Sequence, residues 1–400
     1  MSTVYQRALG RRIAQERRRR GLSQGELARL VDRSVAWVSQ VERGVRRIDR
    51  MSVLEKLAEA LDVPLSELAA EAPVVAAVSE EMPQAARLRL VLSGAHALQA
   101  TLHPALVPTT GELRPQVEQA WELTHHSRYA ELADLLDDLI PTLENAARSA
   151  EAGRRPELFE LLATAYQACS AALAKLGEPE AAWIAADRAI SAADRAGDPL
   201  LMAAGAYRLG FVFLDARHFD QAEETARTAA EALLPLAEQD KPEAMSLWGG
   251  LTLQRAVAAA RLNQAEAAYR HLAEARAMAE RLGEGRNDFN TEFGPANVAL
   301  HEVAVAIEVG DAGHALRTAA TVDTAALSGE RRARLHIDLA RAHAQLRQVD
   351  QAVTALRAAE AITPEQVHNH RLVRRLVADL LTMQHPPSAE LRELADRVGA

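Results

Sequence analysis

The sequence predicts an all-α protein with a small basic head and a long helical body. Apolar residues recur at helical spacing along most of the chain, Ala and Leu are abundant, and aromatic residues make up only 4% of the total. From about residue 84 onward, short breaks containing Gly, Pro, Asp or Asn return at intervals of roughly 20 residues. Because 400 residues exceed one compact domain, we expect more than one unit.

Two short helices joined by a tight corner follow the first helix of the head. Ser23 and Glu26 form the Ser-x-x-Glu pattern of a capping box, which starts the first of the pair. Ser34 is predicted to cap the second helix and Gly44 to end it. Asp32 occupies the corner, where it tolerates a left-handed conformation at some cost. In DNA-binding proteins with two helices joined in this way, the first helix crosses the DNA backbone and the second lies in the major groove.

The flanking sequence extends this pair to five helices. A preceding helix contains Leu9 and Ile13, and Ser52-x-x-Glu55 predicts the cap of a following helix. Leu65 with Leu68 indicates a fifth helix. With these flanks, residues 5 to 70 resemble the Xre (Cro/C1-type) helix-turn-helix domain.

The resemblance implies a DNA-reading surface on the second helix of the pair. It implies that Gln24 and Arg43 hold phosphates and that Gln40, with Ser39 and Ala36, reads bases. It also implies that Arg17 pairs with Glu42 inside the domain. Since the exposed end of this helix carries short apolar side chains, we expect thymine methyl groups and DNA shape to contribute to recognition. The expected DNA-contacting residues are Gln24, Ser34, Val35, Ala36, Ser39, Gln40 and Arg43.

The distribution of charge supports this assignment independently. Residues 1–70 contain 14 Lys or Arg and 9 Asp or Glu, whereas the rest of the chain contains 32 and 46. A basic head on an acidic body is typical of a DNA-binding module attached to a part that repels phosphate. The run Arg17 to Arg20 leaves two interpretations open. It is either a solvated helix end whose cations suit the helix dipole or a direct contact to DNA phosphate.

The body contains a loose repeat of helix pairs. An Ala recurs near the start of the second helix of each pair, and a mostly small residue stands twelve positions before it. The intervals between successive Ala positions are 40, 43, 50 and 37 residues. The first set is Ala182, Ala222, Ala265, Ala315 and Ala352, and the second is Ser170, Gly210, Leu253, Val303 and Ala340. This pattern resembles the tetratricopeptide repeat, and residues 118–148 resemble a more divergent copy. Such hairpins stack into a solenoid with a concave inner face, and a non-repetitive helical bundle is the alternative.

These features divide the chain into three parts. Residues 1–70 are the predicted DNA-binding domain, 71–114 a hinge and helical connector, and 115–400 the tetratricopeptide-like solenoid for sensing and dimerisation. The segment from Ala69 to Pro83 is predicted to be the hinge. The predicted fold is therefore all-α, with a five-helix helix-turn-helix domain followed by an α-solenoid.

The most unusual stretch of the body runs from Gly283 to Val309. It interrupts the Ala/Leu pattern with a Phe-Gly-Pro turn before a helix that bears Asn297 and His301 on one face. An Asn side chain both donates to and accepts from a peptide backbone, and Phe293 offers an apolar wall. These three residues are therefore candidates for effector binding. The alternative is a long loop between repeats in which Asn297 caps its helix and His301 is satisfied by packing. Weaker candidates on inner helices are Tyr166, Tyr207, Arg208, Trp248 and Arg255.

The two parts together resemble regulators that join a helix-turn-helix domain to tetratricopeptide repeats. These regulators are best known from peptide-responsive quorum sensing in Gram-positive bacteria, and this sequence is similar to the actinobacterial type. The resemblance implies a homodimer on a double-stranded DNA operator, with a peptide or small-molecule effector on the concave face. A solenoid that recruits a protein partner without a small effector is the alternative.

Several classes of function find no support in the sequence. The thirteen His residues lack metal-ligand spacing, the single Cys169 allows no intramolecular disulfide, and no phosphate loop or nucleophile elbow occurs. We therefore expect no catalytic site, no metal and no cofactor. Because no apolar run reaches the ~18 residues of a membrane span, we expect no membrane partner and a cytoplasmic location.

Overall fold

The computed structural model describes residues 3–46, 48, 51–64, 68, 83–94, 102 and 108–400. Within them the protein forms twenty α-helices and no β-strand. The fold is all-α, as predicted, with an amino-terminal helix-turn-helix head followed by a tetratricopeptide-like solenoid.

The head contains four helices in the described residues. They are α1 Thr3–Arg19, α2 Gln24–Leu30, α3 Val35–Glu42 and α4 Met51–Leu61. Their apolar faces enclose a small core in which Ile13, Leu27 and Leu57 are fully buried. The predicted fifth helix lies mostly outside the described residues, although Leu68 belongs to the same core.

Local signals in the head act as predicted, with one exception. Ser23 Oγ accepts from the Glu26 amide at 3.2 Å and Glu26 Oε2 from the Ser23 amide at 2.7 Å, which confirms the capping box. Asp32 adopts a φ of 53° at the corner, and Ser34 caps α3 by accepting from the Trp37 amide at 3.1 Å. The exception is Ser52, which lies inside α4 and does not precede it.

Helix α5, Pro83–Val91, packs against the second helix of the body and joins its core. The predicted hinge, Ala69 to Pro83, lies outside the described residues except for Pro83.

Six helix hairpins follow in sequence. Their bounds are α6 Thr110–His125 and α7 Tyr129–Ser149; α8 Arg155–Lys175 and α9 Pro179–Ala196; α10 Pro199–Asp215 and α11 Phe219–Glu238; α12 Pro242–Arg261 and α13 Ala265–Leu282; α14 Pro295–Glu308 and α15 Ala312–Ala319; α16 Gly329–Gln345 and α17 Val349–Ile362. Three further helices close the chain: α18 Pro364–Asn369, α19 Arg371–Met383 and α20 Ala389–Val398.

Every hairpin turns in the same way. The residue two positions before each second helix has a positive φ, which reverses the chain in a few residues. These residues are Ser127, Gly177, Arg217, Asn263, Gly310 and Arg347. The fourth residue of each second helix is buried against its partner. This uniform geometry identifies the hairpins as structural repeats.

The turn geometry corrects one predicted repeat position. Ala265 is exposed, because α13 begins there, and the equivalent of Ala222 is the fully buried Ala268. The Leu-Asn-Gln-Ala and Phe-Asp-Gln-Ala segments look alike in sequence, but they differ by three residues in register. In the Leu-Asn-Gln-Ala segment, residues 262–265, the left-handed residue is Asn263 and lies inside the segment. In the Phe-Asp-Gln-Ala segment, residues 219–222, it is Arg217 and lies two residues before the segment.

The solenoid curls until its ends meet. The first helices of successive hairpins from α8 to α16 contact one another and form an inner layer. Glu365 Oε2 accepts from the Tyr129 amide at 3.0 Å, and Lys175 Nζ lies 2.6 Å from Glu330 Oε1. These contacts join the first hairpin to α18 and the second hairpin to α16, so the inner layer encloses a cavity.

Candidate nucleic-acid interface and effector cavity

The predicted reading surface on α3 is open to solvent. Val35 is 51% exposed, and Ser34, Ala36 and Arg43 are exposed as well. The opposite side of α3 packs into the head through Val38 and other buried residues. The first turn of α3 is thus a rigid, accessible surface that fits the geometry of a recognition helix.

The polar residues of this surface already make contacts within the head. Gln40 and Ser39 are half-buried, and Gln40 Oε1 lies 3.5 Å from an Arg46 Nη. Arg43 donates from Nε to the Ser39 carbonyl at 3.2 Å. Gln24 donates to Glu42 Oε2 at 2.7 Å. These side chains are therefore held near the surface on which DNA contacts are expected.

The predicted pair between Arg17 and Glu42 is confirmed. Arg17 donates from Nε to Glu42 Oε1 at 2.5 Å and from a terminal nitrogen to Oε2 at 3.1 Å. A third nitrogen donates to the Leu22 carbonyl at 2.6 Å. This bidentate, buried pair fixes α1 against α3.

The basic run at the end of α1 has a role that neither interpretation predicted. Arg19 donates to the Arg261 carbonyl at 2.9 Å and to Asn263 Oδ1 at 2.7 Å, and Arg20 donates to Asp379 at 2.7 Å. Both residues therefore bind the solenoid. Their partners lie more than 200 residues away in the chain, which is why the sequence pattern did not show them.

Further ion pairs belong to this contact, which we call the head–solenoid seam, and the two shortest of them are formed by Arg347 and Arg375. Arg347 makes two bonds of 2.6 Å to Glu26, and Arg375 lies 2.8 Å from Asp62. Although burial acts against it, hydrogen bonds from Arg347 and Ser23 lower the pKa of Glu26 to about 2. The predicted DNA-contacting side chains are absent from the ion pairs and hydrogen bonds that the structure describes at this seam.

A cavity of about 100 Å³ with both polar and apolar lining lies at the centre of the solenoid. Trp121, Phe211 and Leu300 supply apolar wall, while the remaining lining is largely charged or polar. A second cavity of about 260 Å³ shares Lys175 and Asp215 with the first and extends to the seam. The two cavities therefore adjoin each other through shared lining residues, one inside the solenoid and one at the surface on which the head rests.

A repeated position supplies much of the polar lining. The residue two positions before each left-handed turn residue lines one or both of these cavities. These residues are His125, Lys175, Asp215, Arg261, Glu308 and Gln345. Sequence reasoning missed them, although they stand at one fixed place in every hairpin and that spacing was available as a signal.

Of the predicted effector residues, His301 and Arg208 line the central cavity. His301 is buried and its Nδ1 lies 2.9 Å from the Asn297 carbonyl oxygen. Burial lowers the pKa of His301 to about 3, so its ring is neutral at neutral pH. Arg208 donates to the backbone carbonyls of Phe289 and Asn290 at 2.7 and 2.9 Å.

Phe293 and Asn297 lie outside the cavity lining and hold the adjoining loop. The Phe293 ring fills the space beside Gly249, where a Cβ would lie 2.0 Å from the ring. Asn297 donates to the Thr291 and Glu292 carbonyls at 3.2 and 2.9 Å, although its Oδ1 is buried without a partner. These contacts agree with the alternative in which this segment is a structural loop.

The remaining candidates are dispersed. Tyr207 is buried beneath Arg208, and Trp248 belongs to the packing of α12. Tyr166 donates to Glu144 at 2.8 Å in a separate surface cleft, and Arg255 pairs with Glu223 at 3.1 Å. The structure therefore gathers only part of the predicted set.

The described residues hold no group of His, Cys, Asp and Glu arranged to bind a metal ion. Among them, no helix combines the length and the apolar character needed to cross a bilayer. Cys169 is buried in the solenoid core, and burial raises the pKa of its thiol to about 12.

Comparison with known proteins identifies the head. Residues 8–70 match a family model described as a helix-turn-helix domain. No curated protein sequence matches the chain. Among solved structures, the chain is similar to Bacillus thuringiensis PlcR in a crystal structure with the peptide PapR7 and DNA. The sequence identity is 14%, the match covers 69% of this chain and 95% of that one, and the TM-score is 0.28. A TM-score this low supports no conclusion about the present chain.

Proposed function

We propose that this protein is a sequence-specific DNA-binding transcriptional regulator of the Xre type whose solenoid senses an effector. The observation that carries the proposal is the exposed first turn of α3 in a domain that matches a helix-turn-helix model. The excess of cations in the head supplies the attraction to phosphate. The acidic body opposes non-specific contact with the duplex.

The central cavity supports effector sensing. Buried polar groups without partners are costly, and several of them line this cavity. A bound molecule that satisfies them would stabilise the curled state of the solenoid. Since the second cavity reaches the head–solenoid seam, a change in curvature would move the head.

Dimerisation and a cytoplasmic location belong to the same proposal. Two heads on one operator must reach half-sites separated by about 34 Å or a multiple of it. A homodimer whose heads are held by the seam would meet that spacing in one solenoid state only. We propose no catalytic activity, and we include quorum sensing through an effector as the biological setting.

DNA binding is tested with the purified full-length chain. Rounds of selection from random duplexes should yield an operator bound at least about 1,000-fold more tightly than scrambled competitor at moderate ionic strength. Ala36→Glu should abolish this preference, because it places a carboxylate on the exposed reading surface. Ala361→Glu, an exposed substitution on the solenoid, is the matched control. Equal affinity for operator and competitor would refute the proposal.

Effector sensing is tested on the same operator. Extracts of the source cells, fractionated into peptides and small molecules, should change the affinity for the operator. If no fraction changes it and a stoichiometric polypeptide binds the solenoid, the protein is a DNA-bound scaffold for a protein partner.

A further inference from the structure

Among the residues that the structure describes, one cation of the central cavity has no carboxylate within 4.0 Å. The other four Lys and Arg side chains of the cavity each have a carboxylate within 4.0 Å: Lys175 with Glu330, Arg261 with Glu308, Arg331 with Glu292 and Arg334 with Asp338. Arg208 is 6% exposed and has no such partner among the residues that the structure describes. Its nearest acceptors are two backbone carbonyls.

A buried guanidinium without a counter-ion is energetically unfavourable. Arg208 lies between the Trp121 and Tyr207 rings, with its Cζ at 4.6 and 4.9 Å from the ring centroids. These rings attract the cation but carry no net charge. Burial lowers the pKa of Arg208 to about 10, so it remains a cation at neutral pH. Arg208 therefore lacks a counter-ion of its own.

Nitrogen atoms without a hydrogen-bond partner occur on three residues that line the same cavity. Arg208 Nε, Arg331 Nε and His125 Nε2 are buried without a hydrogen-bond partner. Arg331 Nε and His125 Nε2 lie 3.6 and 3.9 Å from Glu292 Oε1, which is beyond hydrogen-bond distance. The other Glu292 oxygen accepts from the Ser328 amide at 3.1 Å. Burial lowers the pKa of His125, so its ring is neutral at neutral pH.

The local charges leave room for a single anionic group. Around Arg208, the two guanidiniums of Arg208 and Arg331 face the Glu292 carboxylate. The Asp215 carboxylate also lines the cavity, where it interacts with Lys175, Arg261 and Arg334. A monoanion would balance the charges around Arg208 and accept from the free Nε atoms. A dianion would bring excess charge next to two buried carboxylates.

The size of the cavity limits the rest of the ligand. A volume of about 100 Å³ with an apolar wall holds a ring or a short aliphatic chain, and it excludes a peptide of several residues. We infer that this cavity binds a small monocarboxylate with a compact apolar body, and that its carboxylate pairs with Arg208 and Arg331. This inference rests on the proposed function only for the claim that the ligand acts as the effector.

The experiment compares acids with their neutral amides on the full-length protein. The probes are benzoate, phenylacetate and hexanoate, each paired with its amide, and calorimetric titration gives Kd. At least one acid should bind about tenfold to 100-fold more tightly than its amide, because a charge-assisted hydrogen bond is lost in the amide. Acids that bind no better than amides, or that do not bind up to millimolar concentration, would overturn the inference.

Arg208→Gln should remove the preference for the acid, whereas Arg255→Gln should retain it. Arg255 lies on the neighbouring inner helix and pairs with Glu223 outside the cavity lining, so it is a matched control. Preference for the acid in Arg208→Gln would overturn the inference. If that variant does not fold, a crystal structure of the wild type with 4-bromobenzoate tests whether the acid binds at Arg208. Anomalous bromine density in the central cavity, with the carboxylate on Arg208, is expected, and density elsewhere only would contradict it.

A parallel operator-binding assay separates the two claims. If acids bind at Arg208 without changing the affinity for the operator, the site is correct and the sensing proposal fails. If extract fractions change the affinity while acids do not bind at Arg208, the sensing proposal stands and this inference fails.

Discussion

At the scale of single residues, the head separates contacts that stabilise it from side chains that face outward. Arg17 and Glu42 form a buried ion pair. Val35, Ala36 and Arg43 are exposed on or beside α3. Gln40 is half-buried at the same surface. This separation lets stability and DNA recognition be changed independently.

Gln40 and Arg43 should differ in how they affect DNA binding. Gln40→Ala is expected to reduce discrimination between operator variants by roughly 1 to 3 kcal/mol, because it removes a base-edge contact. Arg43→Ala should weaken binding to all sequences alike and reduce the slope of the salt dependence by about 1, because it removes a phosphate contact. Titrations of operator variants at several salt concentrations measure both effects. Equal losses across all sequences for both variants would contradict this division.

The buried pair in the head should dominate its stability. Arg17→Ala leaves the Glu42 carboxylate without its main partner and should lower the free energy of unfolding by about 3 to 5 kcal/mol. Arg18→Ala, at the exposed neighbouring position, should change it by less than about 0.5 kcal/mol. The midpoints of denaturant-induced unfolding are measured for Arg17→Ala and Arg18→Ala. Similar midpoints would show that the Arg17–Glu42 pair contributes little to stability.

At the scale of elements, the hairpin turn is the repeated structural unit of the solenoid. A left-handed residue, a short loop and a buried fourth residue recur in each pair, although the sequence identity of these positions varies. Gly fills the left-handed position in two hairpins, and Ser, Arg or Asn fills it in the others. The backbone conformation is thus conserved among the repeats while the side chain is free to serve other contacts.

Two glycines of the fifth hairpin should respond oppositely to Ala. Gly310 has a φ of 87°, so Gly310→Ala should destabilise the fold by about 1 to 2 kcal/mol even though no atom lies within 4 Å of the added Cβ. Gly313 lies in α15, where the nearest atom is a movable Arg317 nitrogen at 3.4 Å, so Gly313→Ala should stabilise by about 0.5 to 1 kcal/mol. Thermal unfolding of both variants measures the difference. A stabilised Gly310→Ala would contradict the strain assigned to the turn.

At the scale of the whole molecule, the head–solenoid seam fixes the orientation of the reading surface. Among the described residues it includes four ion pairs: Arg20 with Asp379, Arg347 with Glu26, Arg375 with Asp62 and the longer pair of Arg217 with Glu16. The seam leaves α3 exposed, so the curled state is compatible with DNA binding by a single head. In the homodimer that we propose, the solenoid then controls the spacing between the two heads.

Weakening the seam should relax that spacing without changing base recognition. Arg347→Ala removes both bonds to Glu26 but leaves the capping box at Ser23 intact. We expect faster amide exchange of α2 and tolerance of altered half-site spacing, with unchanged discrimination within one half-site. Arg128→Ala, which breaks an exposed pair on α7, is the control. If Arg347→Ala changes neither the amide exchange of α2 nor the tolerance of altered half-site spacing, the seam does not orient the head.

The pair between Glu26 and Arg347 should also give the seam a pH dependence. The pKa of Glu26 is lowered from 4.5 to about 2 in the folded protein, so its stabilising contribution is present above pH 4.5 and is lost as the pH falls toward 2. The difference in unfolding free energy between the wild type and Arg347→Ala should therefore shrink over that range. Denaturant titrations at a series of pH values measure it, and a constant difference would contradict the assignment.

The sequence by itself determined the local features of this protein. Capping at Ser23 and Ser34, the corner at Asp32 and the Arg17–Glu42 pair all act within one small domain, and their patterns are short enough to recognise. The helical repeat was also visible, because periodic apolar positions reflect burial. The register at Ala265 was misjudged, since the turn depends on a backbone angle that no residue type there requires.

The tertiary structure alone decided how distant segments meet. The contacts of Arg19 and Arg20 with the solenoid, the closure between Lys175 and Glu330, and the isolated charge of Arg208 all depend on residues far apart in the chain. A charged side chain has similar local propensity on a solvated face and inside a cavity. Only the curvature accumulated over six hairpins determines which of these environments it occupies.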